Sequence, residues 1–399
     1  MKSVFVIDAV RTPVGKYGGA LSSVRPDDLA ALVIKALIQR NPNIDSQQIE
    51  EVILGAANQS GEDNRNVARM ASLLAGLDIQ VSGYTVNRLC ASGLQAIADA
   101  YLHIMAGYGD LYIAGGVESM TRAPFVMAKS NQAFSRVPEV YDTTIGWRFT
   151  NPALAEMYYP YSMGETAENV AVKYGISRQE QDAFAHNSQL KWSQAQKNGA
   201  FINEIIEVTL TDRKGKQSVF AVDEHPRLSS EEVLSSLKPA FKKGGTVTAG
   251  NSSGVNDGAS VLLLASESYV VKNNIKPLAR IVSFAAAGVP PEIMGIGPVP
   301  ATRKALKRAG LSVQEIGIAE LNEAFASQSI ACMRDLELDP NLVNPNGGAI
   351  AIGHPLGCSG ARITTTLLHQ MNRNMQVKYG LATMCIGVGQ GLAMIFEKA

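Results

Sequence analysis

Apolar positions along this chain follow two spacings that alternate with each other. Short, almost wholly apolar runs have the length of buried strands, and they cover residues 4–9, 52–54, 84–86 and 111–114. Between these runs, apolar side chains recur every three or four positions, as on one helix face, at residues 26–39, 67–74 and 94–105. We expect the strand at 111–114 to end at Gly115 and Gly116. Strands that alternate with helices predict an α/β fold.

The final third of the chain repeats the order of elements in the first. Strand-like runs return at residues 260–265, 280–286, 316–321 and 381–384, with helical patterns at 301–309 and 361–371. In both thirds a glycine-rich turn leads into a helix, and a strand with a second glycine-rich turn follows. We interpret this order as an internal duplication, although the residues themselves barely match.

The middle of the chain, residues 119–248, follows neither pattern. It has six prolines, one helical stretch expected at 167–196, and a charged segment that contains Arg213, Lys214 and Lys216. We interpret it as an excursion from the main architecture.

Length and composition narrow the class of protein. A chain of 399 residues exceeds the usual size of one hydrophobic core, so about two domains are expected. A net charge of zero gives no reason to expect nucleic acid or an anionic membrane as a partner. The five histidines form no HExxH pair, and no Cys-x-x-Cys is present, so a metal site is not expected. The first apolar run is too short for a signal sequence, and no run is long enough for a membrane span, so we expect a cytoplasmic protein.

The candidate chemistry lies in glycine-rich segments that hold single cysteines and a histidine. Cys90 precedes a predicted helix, whose start favours a thiolate. His354 lies between two glycine-rich pieces and could take the proton of a thiol. Cys385 follows a strand and precedes Gly387. Each of these two cysteines has a simpler interpretation as a buried core residue, and the histidine has one as a core or surface residue. The other two cysteines, Cys332 and Cys358, are interpreted as structural.

Two further sequence features bear on the kind of site. Asn322 directly follows the strand at 316–321, a place where α/β proteins carry sites, although it could equally be a helix N-cap. The glycines at 295–297 and 387–391 do not complete GxGxxG, and no Gly-Lys-Ser/Thr follows any glycine run, so dinucleotide and P-loop sites are disfavoured.

Taken together, these segments resemble the thiolase family over essentially the whole chain. The similar segments occur in family order at residues 11–13, 87–93, 114–119, 248–258, 322–325, 347–360 and 385–391. The resemblance implies a five-layered α-β-α-β-α fold built from two similar halves. The N-terminal half would span residues 1–118 and continue at about 249–272, a loop domain covering CoA would span 119–248, and the C-terminal half would span 273–399. A homotetramer that is a dimer of dimers, or at least a dimer, is also implied.

Within the family, the chain is most similar to the branch that cleaves 3-oxoadipyl-CoA. The similarity lies in residues 61–70, 122–127 and 142–149, whereas Ala91 and Gly164 depart from the glycine and proline more usual there. Cleavage of acetoacetyl-CoA or of fatty-acid 3-oxoacyl-CoA therefore stays open. A dicarboxylic substrate needs a cation or several donors for its far carboxylate, and the sequence alone assigns none.

The resemblance also implies roles for residues. Cys90 would be acylated with His354 as its base, and Cys385 would move the α-proton. His354, with a water held by Asn322, would bind the enolate oxygen, and the N–H groups of Cys90 and Gly387 would bind the other oxyanion. CoA and acyl-CoA would be substrates, with no bound cofactor or metal. Their contacts would come from Ser162, Met163, Arg227, Phe241, Ala249, Ser253 and Met294.

Two other classes share this fold. A 3-ketoacyl synthase would use two histidines, or a histidine and an asparagine, so the second cysteine, Cys385, favours a thiolase. A non-catalytic lipid carrier would be expected to lose Cys90 or His354, and both are present.

Overall fold

The computed structural model describes residues 3–130 and 132–399. Within these ranges the strands are β1 (Val4–Arg11), β2 (Gly15–Lys16), β3 (Glu51–Gly55), β4 (Ser82–Val86), β5 (Leu111–Ser119), β6 (Phe125–Met127), β7 (Val140–Asp142), β8 (Val208–Thr211), β9 (Gln217–Phe220), β10 (Asn256–Ser266), β11 (Ala279–Gly288), β12 (Ile316–Leu321), β13 (Tyr379–Ile386) and β14 (Gln390–Lys398). The helices are α1 (Pro26–Arg40), α2 (Val67–Leu74), α3 (Ser92–Ala106), α4 (Pro152–Met157), α5 (Met163–Tyr174), α6 (Arg178–Lys197), α7 (Glu231–Ser235), α8 (Glu267–Lys272), α9 (Pro298–Ala309), α10 (Ala326–Leu336), α11 (Ala349–Ile352) and α12 (Leu356–Arg373). None of these helices is both long and apolar enough to cross a membrane.

The sheet topology repeats between the two ends of the chain. The N-terminal half has the strand order β4-β3-β5-β10-β1, and the C-terminal half has the order β12-β13-β14-β11. In each half, a parallel pair (β3 with β5, β12 with β13) is followed by an antiparallel one (β5 with β10, β13 with β14). The two sets join through a short antiparallel contact between β1 and β11. The predicted duplication is therefore present.

Five layers stack through the molecule. Helices α3 and α12 pack against each other and lie between the two sets of strands. Helices α1 and α2 cover the outer face of the N-terminal strands, and α9 covers the outer face of the C-terminal strands. The central apolar cluster contains Leu94 and Ile97 of α3 with Leu367 and Leu368 of α12. A helix buried on several sides needs apolar residues around most of its surface, which explains why these two helices are less polar than α6.

The strand predicted at 111–114 does not end at its glycines. β5 runs through Gly115 and Gly116 to Ser119. A Cβ at Gly115 would lie 2.1 Å from the carbonyl oxygen of Ser260, and one at Gly116 would lie 2.1 Å from that of Gly357. The glycines are thus sites of close backbone approach inside the sheet, so the predicted strand end was wrong.

The helical stretch expected at 167–196 is two helices. α5 ends at Tyr174 and is capped by Gly175, which has φ +61°, and α6 begins at Arg178. Both helices start with a capping box, Ser162 with Glu165 and Ser177 with Glu180. A glycine in the left-handed region closes the first helix before the second serine starts the next.

A buried ion-pair cluster attaches the middle segment to the N-terminal strands. The Arg11 side chain lies 2.7 Å from a carboxylate oxygen of Glu204 and 2.7 Å from one of Asp223, and all three side chains are fully buried. Removing one partner from such a cluster leaves an uncompensated buried charge. The middle segment is therefore held at one fixed place beside β1.

Candidate active site

The crossing of α3 and α12 sets the location of the site. A Cβ at Gly93 would lie 2.8 Å from the carbonyl oxygen of Gly357, and one at Gly360 would lie 2.3 Å from the amide of Leu94. Only glycine permits this approach, and it occurs in the first turn or so of both helices. Cys90 and His354, which precede the two helices, are consequently brought to the same end of the crossing.

A strained turn presents Cys90. Leu89 has φ +47°, which is uncommon for a residue other than glycine. Its amide donates to Oδ1 of Asn87 over 2.8 Å, and the Asn87 side chain donates to the carbonyl oxygen of Ala57. The Ser92 hydroxyl closes the turn by donating to the Leu89 carbonyl oxygen over 2.6 Å. Cys90 as a residue is left only partly buried at the helix start.

Burial keeps the Cys90 sulfur protonated in the free protein. Loss of solvent raises the pKa of the thiol to about 11, and Glu118 adds to this, although the N–H groups of Gly387 and of Cys90 itself hydrogen-bond the sulfur and lower it. The N–H groups lie where the resemblance places an oxyanion hole. The cysteine therefore needs a base before it can act as a nucleophile.

The backbone at His354 is fixed by one asparagine. Asn256 accepts the His354 amide over 2.9 Å and donates to the carbonyl oxygen of Gly15. Gly353 has φ +113°, and a Cβ there would lie 2.7 Å from the Asn256 side chain. The glycine before the histidine is required for this approach.

The imidazole of His354 has a defined tautomer. Ser359 Oγ donates to the carbonyl oxygen of Pro355 over 2.8 Å and lies 2.6 Å from His354 Nδ1. Because the serine proton is used by Pro355, Ser359 accepts a proton from Nδ1, which leaves the lone pair on Nε2. Burial, with a smaller effect of Arg362, lowers the pKa of His354 to about 3, so the ring is neutral. A neutral imidazole with an unprotonated Nε2 can accept the thiol proton.

Asn322 lies over the edge of the imidazole. Its amide nitrogen is 3.4 Å from Nδ1 and 3.5 Å from Nε2 of His354, and its backbone N–H donates to the carbonyl oxygen of Thr383. Asn322 is fully buried, and within the described residues its Oδ1 has no hydrogen-bond partner. An unpaired buried acceptor is costly and fits an ordered water or a ligand donor.

Cys385 lies near the end of β13 and is almost completely buried. It packs in an apolar cluster with Met294 and Phe325, and Met163 borders this cluster. Burial raises the pKa of its thiol well above the usual value, and the nearby Cys90 raises it further. Two neutral thiols in one apolar site differ in exposure, with Cys90 accessible and Cys385 enclosed.

Four of the residues predicted to contact CoA are exposed or partly exposed. Arg227 donates to the carbonyl oxygen of Ala249 over 2.6 Å. The ring of Phe241 lies on Gly164, where a Cβ would be 2.1 Å from a ring carbon. Ser253 is nearby in sequence, and its amide donates to the carbonyl oxygen of Ala324.

The remaining predicted contacts lie closer to the cysteines. Ser162 caps α5, and Met163 Sδ would be 3.7 Å from a Cβ at Gly387. Met294 is buried beside Cys385 and is not on the surface. Phe241, which has 42% of its surface exposed, meets Phe325 edge-on at 6.1 Å. Phe325 thus joins the surface residues to the buried cluster.

A cavity of about 370 Å³ opens onto Cys90. Its walls come from the cysteine turn, from residues 143–148, from residues 161–163 and from the turn after β13. Glu118 also lines it, but the carboxylate accepts the amides of Ala57, Asn58 and Gly357. Burial raises the pKa of Glu118 to about 7.

Comparison with known protein families decides the family. The sequence model for "Thiolase, N-terminal domain" matches residues 4–268, and that for "Thiolase, C-terminal domain" matches residues 275–398. The chain belongs to the thiolase family. The family resemblance and the thiolase fold expected from the sequence are thereby confirmed, and the protein is an acyltransferase.

Full-length relatives show the same similarity. This thiolase is 56% identical to the 3-oxoadipyl-CoA/3-oxo-5,6-dehydrosuberyl-CoA thiolase of Escherichia coli (strain K12), over all of both chains. It is also 56% identical to the beta-ketoadipyl-CoA thiolase of Pseudomonas aeruginosa, covering 100% of this chain and 99% of that one. The crystal structure of the Bacillus anthracis acetyl-CoA acetyltransferase superposes with a TM-score of 0.94 at 41% identity, covering 100% of this thiolase and 99% of that chain.

The sequence interpretation missed several residues of this site. Ser359 and Asn256, which fix the ring and the backbone of His354, fall inside the family segments, but nothing in their spacing marks them. Glu118 is likewise in a family segment. Arg148 of the cavity wall is in a segment typical of one branch, and its charge was the available signal.

Proposed function

We propose that this thiolase cleaves 3-oxoadipyl-CoA with CoA to give acetyl-CoA and succinyl-CoA. The observation that carries the proposal is the pairing of an accessible thiol, Cys90, with an enclosed one, Cys385, beside a neutral histidine. The substrate is supported by the names of the full-length relatives at 56% identity.

In the first half-reaction His354 Nε2 takes the proton of Cys90, and the sulfur forms a bond to the 3-keto carbon. The oxyanion that results is bound by the N–H groups of Cys90 and Gly387. The C2–C3 bond then breaks, so the succinyl group stays on Cys90 and acetyl-CoA leaves as its enolate. Cys385 gives its proton to C2 of the enolate.

In the second half-reaction the Cys385 thiolate takes the proton of an incoming CoA thiol. The CoA sulfur attacks the succinyl thioester, and the Cys90 sulfur leaves and recovers the proton held by His354. While protonated, His354 can donate to the enolate thioester oxygen, together with a water on Oδ1 of Asn322. Each such donor is worth roughly 3–4 kcal/mol of barrier. Every proton transfer is assigned to a side chain, so the proposal needs no metal or bound cofactor.

The CoA portion of both substrates is proposed to lie along the surface residues described above. Arg227, Ala249 and Ser253 would contact the nucleotide end, with Phe241 against it. Ser162, Met163 and Met294 would border the pantetheine arm near the cysteines. The path leads from exposed residues to the buried cluster, as a long substrate with a reactive end requires.

The substrate assignment is tested by comparing kcat/KM for 3-oxoadipyl-CoA and acetoacetyl-CoA. The proposed function predicts a clear preference for 3-oxoadipyl-CoA. Without added CoA, peptide mass mapping should find a succinyl group on Cys90. A preference for acetoacetyl-CoA would identify the enzyme as an acetyl-CoA acetyltransferase, and a succinyl group on Cys385 would reverse the two cysteines.

The role of Cys385 is tested by proton exchange. Cys385→Ser should still accept an acetyl group from acetyl-CoA on Cys90, but it should lose exchange of the acetyl-CoA methyl protons with deuterated water, because a hydroxyl is far less acidic than a thiol. Cys332→Ser, at another buried cysteine, is the matched control and should exchange normally. Exchange at the native rate in Cys385→Ser would assign the proton to another group.

We further propose a homotetramer in the cytoplasm. The open edge of β4 can pair with another copy, and the β6–β7 hairpin carries exposed apolar side chains such as Phe125 and Val140. A reaction that needs the free thiols of two cysteines and of CoA requires a reducing compartment. Sedimentation velocity should report four times the chain mass of 42.5 kDa.

A further inference from the structure

One cation lines the cavity at Cys90. Among the described residues of its wall, Arg148 is the single basic side chain, and most of the others are apolar, hydroxyl or amide groups. Arg148 is partly buried, and no hydrogen bond or ion pair connects its guanidinium to any described residue. An arginine in a cavity wall without a protein partner keeps its five N–H donors free for a ligand, and we interpret it as a ligand contact.

The backbone on either side of Arg148 is anchored. Trp147 Nε1 donates to the carbonyl oxygen of Tyr161 over 3.0 Å, and Phe149 packs edge-on against Tyr141 at 4.8 Å. Gly146 has φ +91° and Phe149 has φ +50°, so the segment turns sharply on both sides of the tryptophan–arginine pair. The arginine is thus carried by a fixed piece of chain while its guanidinium stays free.

The other charged group of the wall does not compete for this role. The carboxylate of Glu118 accepts three backbone amides, so its oxygens are already bound. The amide of Asn58 is similarly occupied, since it donates to the hydroxyl and the carbonyl oxygen of Thr143. Arg148 is left as the one basic side chain among the described residues of the wall, and it has no protein partner.

The chemistry of the proposed substrate supplies a matching group. When the 3-keto carbon of 3-oxoadipyl-CoA is at Cys90, a chain of two methylenes leads from it to a carboxylate. That carboxylate is retained in the succinyl-enzyme, and the cavity that opens onto Cys90 is the space available for it. A carboxylate in a mainly apolar cavity needs a charged partner, and a guanidinium can bind both of its oxygens.

We propose that Arg148 binds the far carboxylate of the acyl group and thereby selects dicarboxylic over neutral 3-oxoacyl-CoA substrates. This inference rests on the proposed function. Arg148 acts on specificity and not on the chemical step. It should bind the far carboxylate equally well in the substrate complex and in the transition state, so a dicarboxylic substrate should have a higher kcat/KM than a neutral one.

The test compares two substrates of equal chain length in two enzymes. 3-Oxohexanoyl-CoA has a methyl group in place of the far carboxylate of 3-oxoadipyl-CoA. Hydrogen bonds to charged groups are worth enough that Arg148→Gln should lower kcat/KM for 3-oxoadipyl-CoA by about 10- to 100-fold. With 3-oxohexanoyl-CoA, the same variant should stay within about threefold of the wild type.

Two further variants complete the design. Arg148→Lys keeps the charge and should recover part of the preference for the dicarboxylate, though less than arginine because lysine lacks the planar pair of donors. Arg213→Gln removes a charge from the exposed β8–β9 turn, and it should leave both substrates unchanged.

The outcomes separate the two proposals. If the wild type cleaves 3-oxoadipyl-CoA well and Arg148→Gln loses nothing, or loses activity equally with both substrates, the role of Arg148 is wrong and the proposed function stands. If the wild type itself does not prefer 3-oxoadipyl-CoA over 3-oxohexanoyl-CoA, both the dicarboxylate function and the carboxylate site fail. A loss confined to 3-oxoadipyl-CoA supports the inference.

Discussion

The hydroxyl of Ser359 is predicted to control catalysis through His354. It accepts the Nδ1 proton at 2.6 Å while its own proton goes to the carbonyl oxygen of Pro355. In Ser359→Ala the buried Nδ1–H loses its acceptor, and the ring loses its preference for the tautomer with a free Nε2. Ser359 touches no substrate in this scheme, so it is a positioning residue.

The size of the effect follows from the cost of an unsatisfied buried donor. That cost is about 1–3 kcal/mol, which corresponds to roughly a 5- to 150-fold fall in kcat if it acts on the active tautomer. The fall in kcat is measured from steady-state cleavage of 3-oxoadipyl-CoA at saturating CoA. The KM for 3-oxoadipyl-CoA should change little because the substitution leaves the acyl cavity unaltered. Ser359→Thr retains a hydroxyl and should recover part of the rate.

A second serine gives the matched control. Ser283 is buried, and its hydroxyl donates to the carbonyl oxygen of Ala305 over 2.8 Å, a bond like that of Ser359 but in the outer layer. Ser283→Ala should lose a similar amount of thermal stability and keep its turnover. If Ser359→Ala retains more than half of the wild-type kcat, the tautomer argument is refuted.

Two other predictions follow from the site. The rate at which iodoacetamide alkylates Cys90, mapped by peptide mass spectrometry, should still rise between pH 9 and pH 10. Burial raises the pKa of this thiol to about 11, so the thiolate fraction keeps growing with pH over that range. A plateau reached below pH 8 would indicate a resting thiolate–imidazolium pair instead. Gly164→Ala should raise KM for CoA by about fivefold or more, since its Cβ would meet the Phe241 ring at 2.1 Å and overpacking costs roughly 1–3 kcal/mol. An unchanged KM would remove Phe241 from the CoA path.

The residues proposed to react could be predicted from the sequence, because their residue types and neighbouring glycines are local features. Cys90, His354 and Cys385 each lie at the end of a predicted element and among glycines, and the structure brings the segments that carry them together. The duplicated order of strands and helices could also be predicted from the sequence. The spacing of apolar residues differs between strands and helices, and it depends only on which face of each element is buried. The roles given to these residues remain predictions.

The sequence did not predict where segments far apart in the chain approach each other closely. Gly115 and Gly116 are predicted to end a strand, yet β5 continues through them. Glycine is needed at both positions because the backbones of β10 and α12 lie where a Cβ would be. The helix expected at 361–371 starts earlier, at Leu356, so its first turn can meet α3. β14, which completes the C-terminal sheet, had not been assigned from the pattern.

What the sequence determined by itself, then, is what depends on neighbours in the chain: the period of apolar positions and the cysteine and histidine motifs. What only the tertiary structure decided is which long-range partners complete the site. The tautomer of His354 depends on Ser359 together with Pro355, and its backbone depends on Asn256 of another half. The position of Arg148 in the wall of the cavity at Cys90 depends on how residues 143–148 of the middle segment lie against the cysteine turn, and no periodic pattern encodes that arrangement.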